Sequence, residues 1–155
     1  MTIEKPKFAT YVFDVDGCLI DSLTGTSLRP GTGELLGHLS RAGARLLLWS
    51  AGGAEYAEQR AVQHGIDTLF AGFHAKADRE AAGRYMVPFV DGLDGVVFID
   101  DRPEDMPLTA SVVAVSPYIS PNPHDVALAQ AAVHLVHLDG AADQAADPCR
   151  SSRGH

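Results

Sequence analysis

The 155 residues, 46% of them hydrophobic and 21% charged, suit one ordinary globular domain with its own core. A formal net charge of −8 disfavours nucleic acid and anionic lipid as general partners, because both would be repelled by an acidic surface. The cysteines, Cys18 and Cys149, lie in unlike contexts, which disfavours a disulfide framework, and no apolar run suits a signal peptide or a membrane span. We therefore expect a cytoplasmic protein with no membrane partner.

The predicted elements alternate between buried strands and helices. Apolar runs without polar interruption are typical of strands buried on both faces, and leucines at helical spacing that end at a glycine predict helices. In chain order we predict a strand at 9–15, a helix at 31–43, a strand at 44–49, a helix at 54–64, strands at 95–99 and 111–116, and a helix at 124–138. This alternation predicts an α/β, Rossmann-like, doubly wound and mostly parallel sheet with helices on both faces.

The domain boundaries follow from the same pattern. We expect an N-terminal arm over 1–8, one folded domain over 9–139 and a tail over 140–155. The tail carries no apolar periodicity, so we expect it to be disordered.

Polar residues end three of the predicted strands. Asp14, Ser50 and the pair Asp100 and Asp101 each follow directly on a buried apolar run. Because ligands of parallel sheets collect at the carboxyl ends of the strands, we expect these side chains to share one edge of the sheet.

Asp14 and Asp16 lie in the segment FDVDG, where Gly17 permits the chain to turn. Two carboxylates at this spacing suit either ligation of a hard cation or a nucleophile beside a general acid/base. A solvated turn is the alternative for such a pair taken alone.

Ser50 precedes Ala51 and two glycines, so its hydroxyl and the following amides could bind a phosphate-sized anion. The alternative is an ordinary helix N-cap. Lys76 could balance the charge of acids and phosphate, since the two other lysines, Lys5 and Lys7, lie in the N-terminal arm. A surface lysine is the alternative.

Asp100 and Asp101 end the run VVFIDD, and two adjacent acids after a buried strand need a partner. A divalent cation shared with Asp14 would supply one, and Asp105 could orient the water ligands of such an ion. The alternative is a local ion pair between Asp101 and Arg102.

Together, the order DxDG, Ser, Lys and DD resembles that of the haloacid dehalogenase-like hydrolase superfamily over residues 9–116. The resemblance implies a magnesium-dependent phosphatase in which Asp14 forms an aspartyl-phosphate. Asp16 would protonate the leaving oxygen and then activate water. Ser50, Ala51 and Lys76 would bind the phosphoryl group.

The same resemblance implies a Mg²⁺ ion held by Asp14, the backbone carbonyl of Asp16 and Asp101, with Asp100 and Asp105 as further candidates. Cys18 stands where the family commonly has threonine or valine, and we interpret it as structural.

The spacing of the motifs bears on the substrate. Asp14 and Ser50 are 36 residues apart, and Ser50 and Lys76 are 26 apart, which leaves no room for the family's cap domains. A capless site implies a large phosphorylated substrate, such as a phosphoprotein or a nucleic-acid end, or a homo-oligomer whose subunit supplies the lid. Some capless members of the superfamily act on small phosphorylated molecules and use a loop held together by zinc. Such a loop would need clustered Cys and His, and the sequence has no such cluster.

Three other functions stay open from the sequence. One is a polynucleotide 3′-phosphatase-like enzyme, which the acidic charge disfavours. The second is a non-catalytic interaction module that kept the fold, and the third is a phosphotransferase. A response-regulator receiver domain is excluded, because its lysine comes last in the order of motifs.

Overall fold

The computed structural model describes residues 4–138, which form two sheets and the elements that connect them. The strands are β1 (Glu4–Pro6), β2 (Thr10–Asp14), β3 (Arg45–Ser50), β4 (Gly72–Ala75), β5 (Val96–Asp100), β6 (Ser111–Ala114) and β7 (Val136–Leu138). The helices are α1 (Thr32–Arg41), α2 (Ala54–Gln63) and α3 (Ala127–Ala132), with 3₁₀ turns at Asp67–Leu69 and Pro103–Asp105.

Strand β2 lies at the centre of a parallel five-stranded sheet with the order β4-β3-β2-β5-β6. It pairs with β3 on one side, with Asp14 opposite Trp49, and with β5 on the other, with Phe13 opposite Ile99. The chain builds the sheet outward from β2 first in one direction and then in the other. The carboxyl ends of β2 and β5 therefore flank the switch point at which ligands of open α/β sheets bind. The predicted Rossmann-like fold is confirmed.

The two faces of this sheet are covered in different ways. Alternate residues of β2 point to opposite sides, so Phe13 belongs to one cluster and Val12 to the other. The cluster that contains Phe13 also holds buried side chains of all three described α-helices. We predicted helices on the other face as well. The structure instead covers it with the segment 85–93 and Met106, which pack around Trp49.

The end of the described chain differs from the prediction of one helix over 124–138. Helix α3 is only six residues long, and β7 follows it and pairs antiparallel with β1, with Val136 opposite Pro6. Buried Leu135 explains the change, because its carbonyl accepts hydrogen bonds from the Tyr11 hydroxyl and the Lys7 amide. These bonds hold the backbone away from a helical path. The predicted tail over 140–155 lies outside the described residues.

The described connections between β2, β3 and β4 are short and hold no inserted domain. Helix α1 and a turn-rich loop join β2 to β3, and α2 with one 3₁₀ turn joins β3 to β4. None of the helices in the described part of the chain has the length and apolar character needed to cross a membrane.

Candidate active site

The carboxyl edge of the sheet holds a cavity of about 500 Å³. Asp14 ends β2, Ser50 ends β3 and Asp100 ends β5, and all three are buried. Each of the site residues predicted from the sequence except Asp100 lines the cavity itself. The lining consists of Asp14, Asp16, Ser50, Ala51, Lys76, Arg79, Tyr85, Asp101, Arg102 and Asp105.

Lys76 connects two of the buried acids. Its Nζ lies 2.9 Å from Asp14 Oδ1 and 2.8 Å from Asp100 Oδ2, and its side chain is only 7% exposed. The pairing of β4 with β3 brings it there, because the Lys76 amide donates to the Ser50 carbonyl at 2.9 Å. Burial alone would lower the pKa of Lys76, but Asp14 and Asp100 outweigh burial and raise it to about 12. Lys76 is therefore a permanent cation at the bottom of the cavity.

Asp14, Asp100 and Asp101 form a compact group of carboxylates. One oxygen from each lies within 4.8 Å of the others. Burial raises the pKa of Asp14 well above its usual range, the Asp100 charge raises it further, and Lys76 opposes both. One ammonium cannot balance three carboxylates, whereas a divalent cation with a preference for oxygen ligands could. The donor set therefore fits a hard divalent metal ion.

The two adjacent acids of this group have different surroundings. Asp100 accepts hydrogen bonds on both oxygens, from Lys76 on one and from the Arg102 amide at 2.9 Å on the other. Asp101 instead lines the cavity and lies against the loop after β2, where a Cβ atom added to Gly17 would be 2.7 Å from its Oδ2. Asp101 is therefore the better placed of the two to contact an ion in the cavity.

Asp16 has a partner that the sequence did not reveal. The hydroxyl of Tyr56, in the first turns of α2, lies 2.8 Å and 3.0 Å from the two carboxylate oxygens of Asp16. The Tyr56 ring lies close to Gly52, and the Arg60 guanidinium is 5.1 Å from its centroid. Burial raises the pKa of Tyr56, and the hydrogen bond to Asp16 acts in the same direction, so the phenol stays protonated at neutral pH.

Ser50 lies in the tight turn before α2. Its Oγ accepts a hydrogen bond from the Gly52 amide at 3.0 Å, which leaves the hydroxyl proton free to donate. The N-cap of α2 is Gly53, with no side-chain capping bond, so Ser50 is not the cap residue itself. Ala51 lies beside it in the cavity wall.

Asp105 lies apart from the carboxylate group. It pairs with Arg102 Nε at 3.1 Å and with Arg79 Nη1 at 3.5 Å, at the rim of the cavity. Arg102 therefore pairs with Asp105, and the alternative of an ion pair between Asp101 and Arg102 is not what the structure shows. Arg79 also donates to the Tyr85 hydroxyl at 2.9 Å. Sequence reasoning missed Arg79 and Tyr85, because they lie in a segment with no periodic pattern.

Several solved structures are similar to this chain. No curated protein matches the sequence. One similar solved structure is the NMR structure of the core domain of a protein from Streptococcus pneumoniae TIGR4, provisionally described as a phosphoglycolate phosphatase. It is 17% identical, with a TM-score of 0.42, over 62% of this chain and 68% of that one. A crystal structure that is 18% identical, with a TM-score of 0.47, matches over 96% of this chain and 99% of its own.

The model of one protein family matches most of the sequence. The match covers residues 9–145, and the family is described as NLI interacting factor-like phosphatase. This range includes all the cavity residues and the whole five-stranded sheet. The chain therefore belongs to the NLI interacting factor-like phosphatases, a capless family of haloacid dehalogenase-like hydrolases that act on phosphoric esters.

Proposed function

We propose that the protein hydrolyses phosphate monoesters in a Mg²⁺-dependent reaction in which Asp14 becomes an aspartyl-phosphate. The observation that carries this proposal is the position of Asp14. It ends the central strand, lies in the cavity and has both a buried cation and two further carboxylates beside it.

In the first step, a carboxylate oxygen of Asp14 attacks phosphorus, and the bond from phosphorus to the leaving oxygen breaks. Asp16 donates its proton to that leaving oxygen. In the second step, Asp16 takes a proton from water, and the water oxygen attacks phosphorus and releases Asp14. The Ser50 hydroxyl, the Ala51 amide and Lys76 bind the phosphoryl oxygens and orient the group for both steps.

Asp14, Asp101 and the backbone carbonyl of Asp16 would hold the Mg²⁺ ion. When bound, the ion neutralises charge on the phosphoryl group and on the carboxylates around it. Asp100 acts through Lys76, because its side chain holds the ammonium at 2.8 Å. Asp105 keeps Arg102 and Arg79 at the rim and is not a ligand in this proposal.

The substrate of this site is a large phosphorylated molecule, or a subunit of a homo-oligomer supplies the missing lid. Both proposals rest on the capless connections of the described chain and on the open cavity. The net charge of −8 favours a phosphoprotein over a nucleic-acid end. A cytoplasmic location remains a prediction from the cysteine pattern.

Hydrolysis of p-nitrophenyl phosphate tests the proposal. We expect turnover by the wild type that requires Mg²⁺ and is lost in Asp14→Asn. Asp91→Asn, which removes an exposed acid in the segment before β5, serves as the matched control and should keep wild-type turnover. Turnover without metal, or turnover that survives in Asp14→Asn, would contradict the proposal.

A further inference from the structure

Among the described residues, one side chain from a different part of the fold holds Asp16 by hydrogen bonds. Asp16 follows β2, whereas Tyr56 lies 40 residues later on α2. The Tyr56 hydroxyl reaches both carboxylate oxygens, at 2.8 Å and 3.0 Å. A hydroxyl has one proton, so it donates to one oxygen at a time and leaves the other available to the cavity.

Three features of the fold hold Tyr56 itself. Helix α2 packs on β3 and β4 and places the ring beside the turn that carries Ser50. A Cβ atom added to Gly52 would lie 2.8 Å from the ring, which shows how closely the turn approaches it. The Arg60 guanidinium lies over the ring, at 5.1 Å from the centroid. These contacts give the hydroxyl that meets Asp16 a defined position.

We propose that Tyr56 is a positioning residue that holds the Asp16 carboxyl group in place for proton transfer to the leaving oxygen. This proposal rests on the proposed function. When Asp16 gives its proton to the leaving oxygen, it becomes a carboxylate, and the Tyr56 hydroxyl then donates to that charge. When Asp16 takes the proton of the attacking water, the same hydrogen bond returns to its initial state. Tyr56 keeps its own proton throughout and forms no bond to substrate.

The test uses two substrates that differ in how much they need a proton at the leaving oxygen. An alkyl phosphate has a poor leaving group that must be protonated, whereas p-nitrophenolate leaves with little protonation. We expect Tyr56→Phe to reduce kcat/KM about tenfold for the alkyl phosphate and less than about twofold for p-nitrophenyl phosphate. Asp16→Ala should show the same preference more strongly, and Tyr56→Phe should have no further effect in that background.

Tyr11→Phe is the matched control, because it removes a buried hydroxyl that donates to the Leu135 carbonyl far along the chain. It should change kcat/KM for both substrates by the same factor. An equal loss for both substrates in Tyr56→Phe, no loss, or a gain in turnover would overturn the proposal. A gain would mean that Tyr56 restrains Asp16 instead of positioning it.

A second measurement does not depend on turnover. Urea unfolding of the wild type, Tyr56→Phe, Asp16→Ala and the double variant forms a cycle that isolates the contact. We expect Tyr56→Phe to lower the unfolding midpoint when Asp16 is present and to leave it unchanged in Asp16→Ala. Equal effects in both backgrounds would overturn the inference. An inactive wild type would contradict the proposed function, and this cycle would still decide whether Tyr56 holds Asp16.

Discussion

Replacement of Lys76 by methionine removes the ammonium that pairs with Asp14 and Asp100 and keeps a side chain of similar length. Loss of one partner from a buried ion pair typically destabilises a protein by about 3–5 kcal/mol. The pKa of Lys76 gives a smaller figure, since a rise from 10.5 to about 12 corresponds to about 2 kcal/mol at about 1.36 kcal/mol for each pKa unit. The smaller figure already includes the cost of burying the ammonium. The larger one includes the carboxylates left unpaired, so we expect about 2–4 kcal/mol at neutral pH.

The loss should depend on pH in a defined direction. Burial raises the pKa of Asp14 and of Asp100 in the folded protein, and removal of Lys76 removes the group that opposes this rise. Carboxyls with raised pKa values stabilise the folded state below their unfolded pKa of 3.8, and this contribution is lost as pH rises through the folded pKa. The stability that Lys76 itself contributes is fully present below its unfolded pKa of 10.5 and is lost as pH rises through its folded pKa of about 12. The deficit of the variant should therefore grow between about pH 4 and pH 7.

Urea unfolding in metal-free buffer, at about pH 5 and about pH 7, measures this deficit. Lys7→Met is the matched control, because the Lys7 ammonium makes an exposed hydrogen bond to the Val133 carbonyl at 3.1 Å. The control should differ from the wild type by less than about 0.5 kcal/mol. A Lys76→Met protein as stable as the wild type at neutral pH, or a deficit of the same size at both pH values, would refute the reasoning.

Two further predictions concern the loop after β2. Asp21 accepts hydrogen bonds within its own loop that outweigh burial and lower its pKa to about 2, so Asp21→Asn should lose about 1–2 kcal/mol at neutral pH. A carboxyl with a lowered pKa stabilises the folded state above its unfolded pKa of 3.8. The difference in unfolding free energy between wild type and variant, measured with urea, should therefore vanish as pH falls through about 2. Gly17 has a φ of +78° and lies against Asp101, so Gly17→Ala should lose about 1–2 kcal/mol and weaken Mg²⁺ binding measured by titration calorimetry. Wild-type metal affinity in that variant would argue against Asp101 as a ligand.

The central strands could be predicted from the sequence because each is an apolar run that ends in a polar residue. The predicted run 44–49 corresponds to β3, which continues one residue further to Ser50, and the run 95–99 corresponds to β5, which ends at Asp100. A strand buried on both faces needs apolar side chains at every position, so its signal is unbroken. This is also why the acids at strand ends stood out and why the edge that carries the cavity was predicted.

The remaining parts had no such signal. Strand β1 is three residues with a proline, and its partner β7 follows a helical pattern, so their pairing depends on contacts between distant segments. The pairing of Lys76 with Asp100 requires the register of β3 against β4, which the sequence does not encode locally. Tyr56 stands in a correctly predicted helix, but which side chain it meets depends on how that helix packs on the sheet.

The covalent intermediate is the most direct test of the account. Wild-type protein would be mixed with Mg²⁺ and p-nitrophenyl phosphate, quenched in acid during turnover and digested for mass spectrometry. We predict the mass of one phosphoryl group on the peptide that contains Asp14, labile to hydroxylamine as an acyl phosphate is, and its absence in Asp14→Asn. Turnover by the wild type with no label on that peptide, or with the label on another residue, would contradict the account.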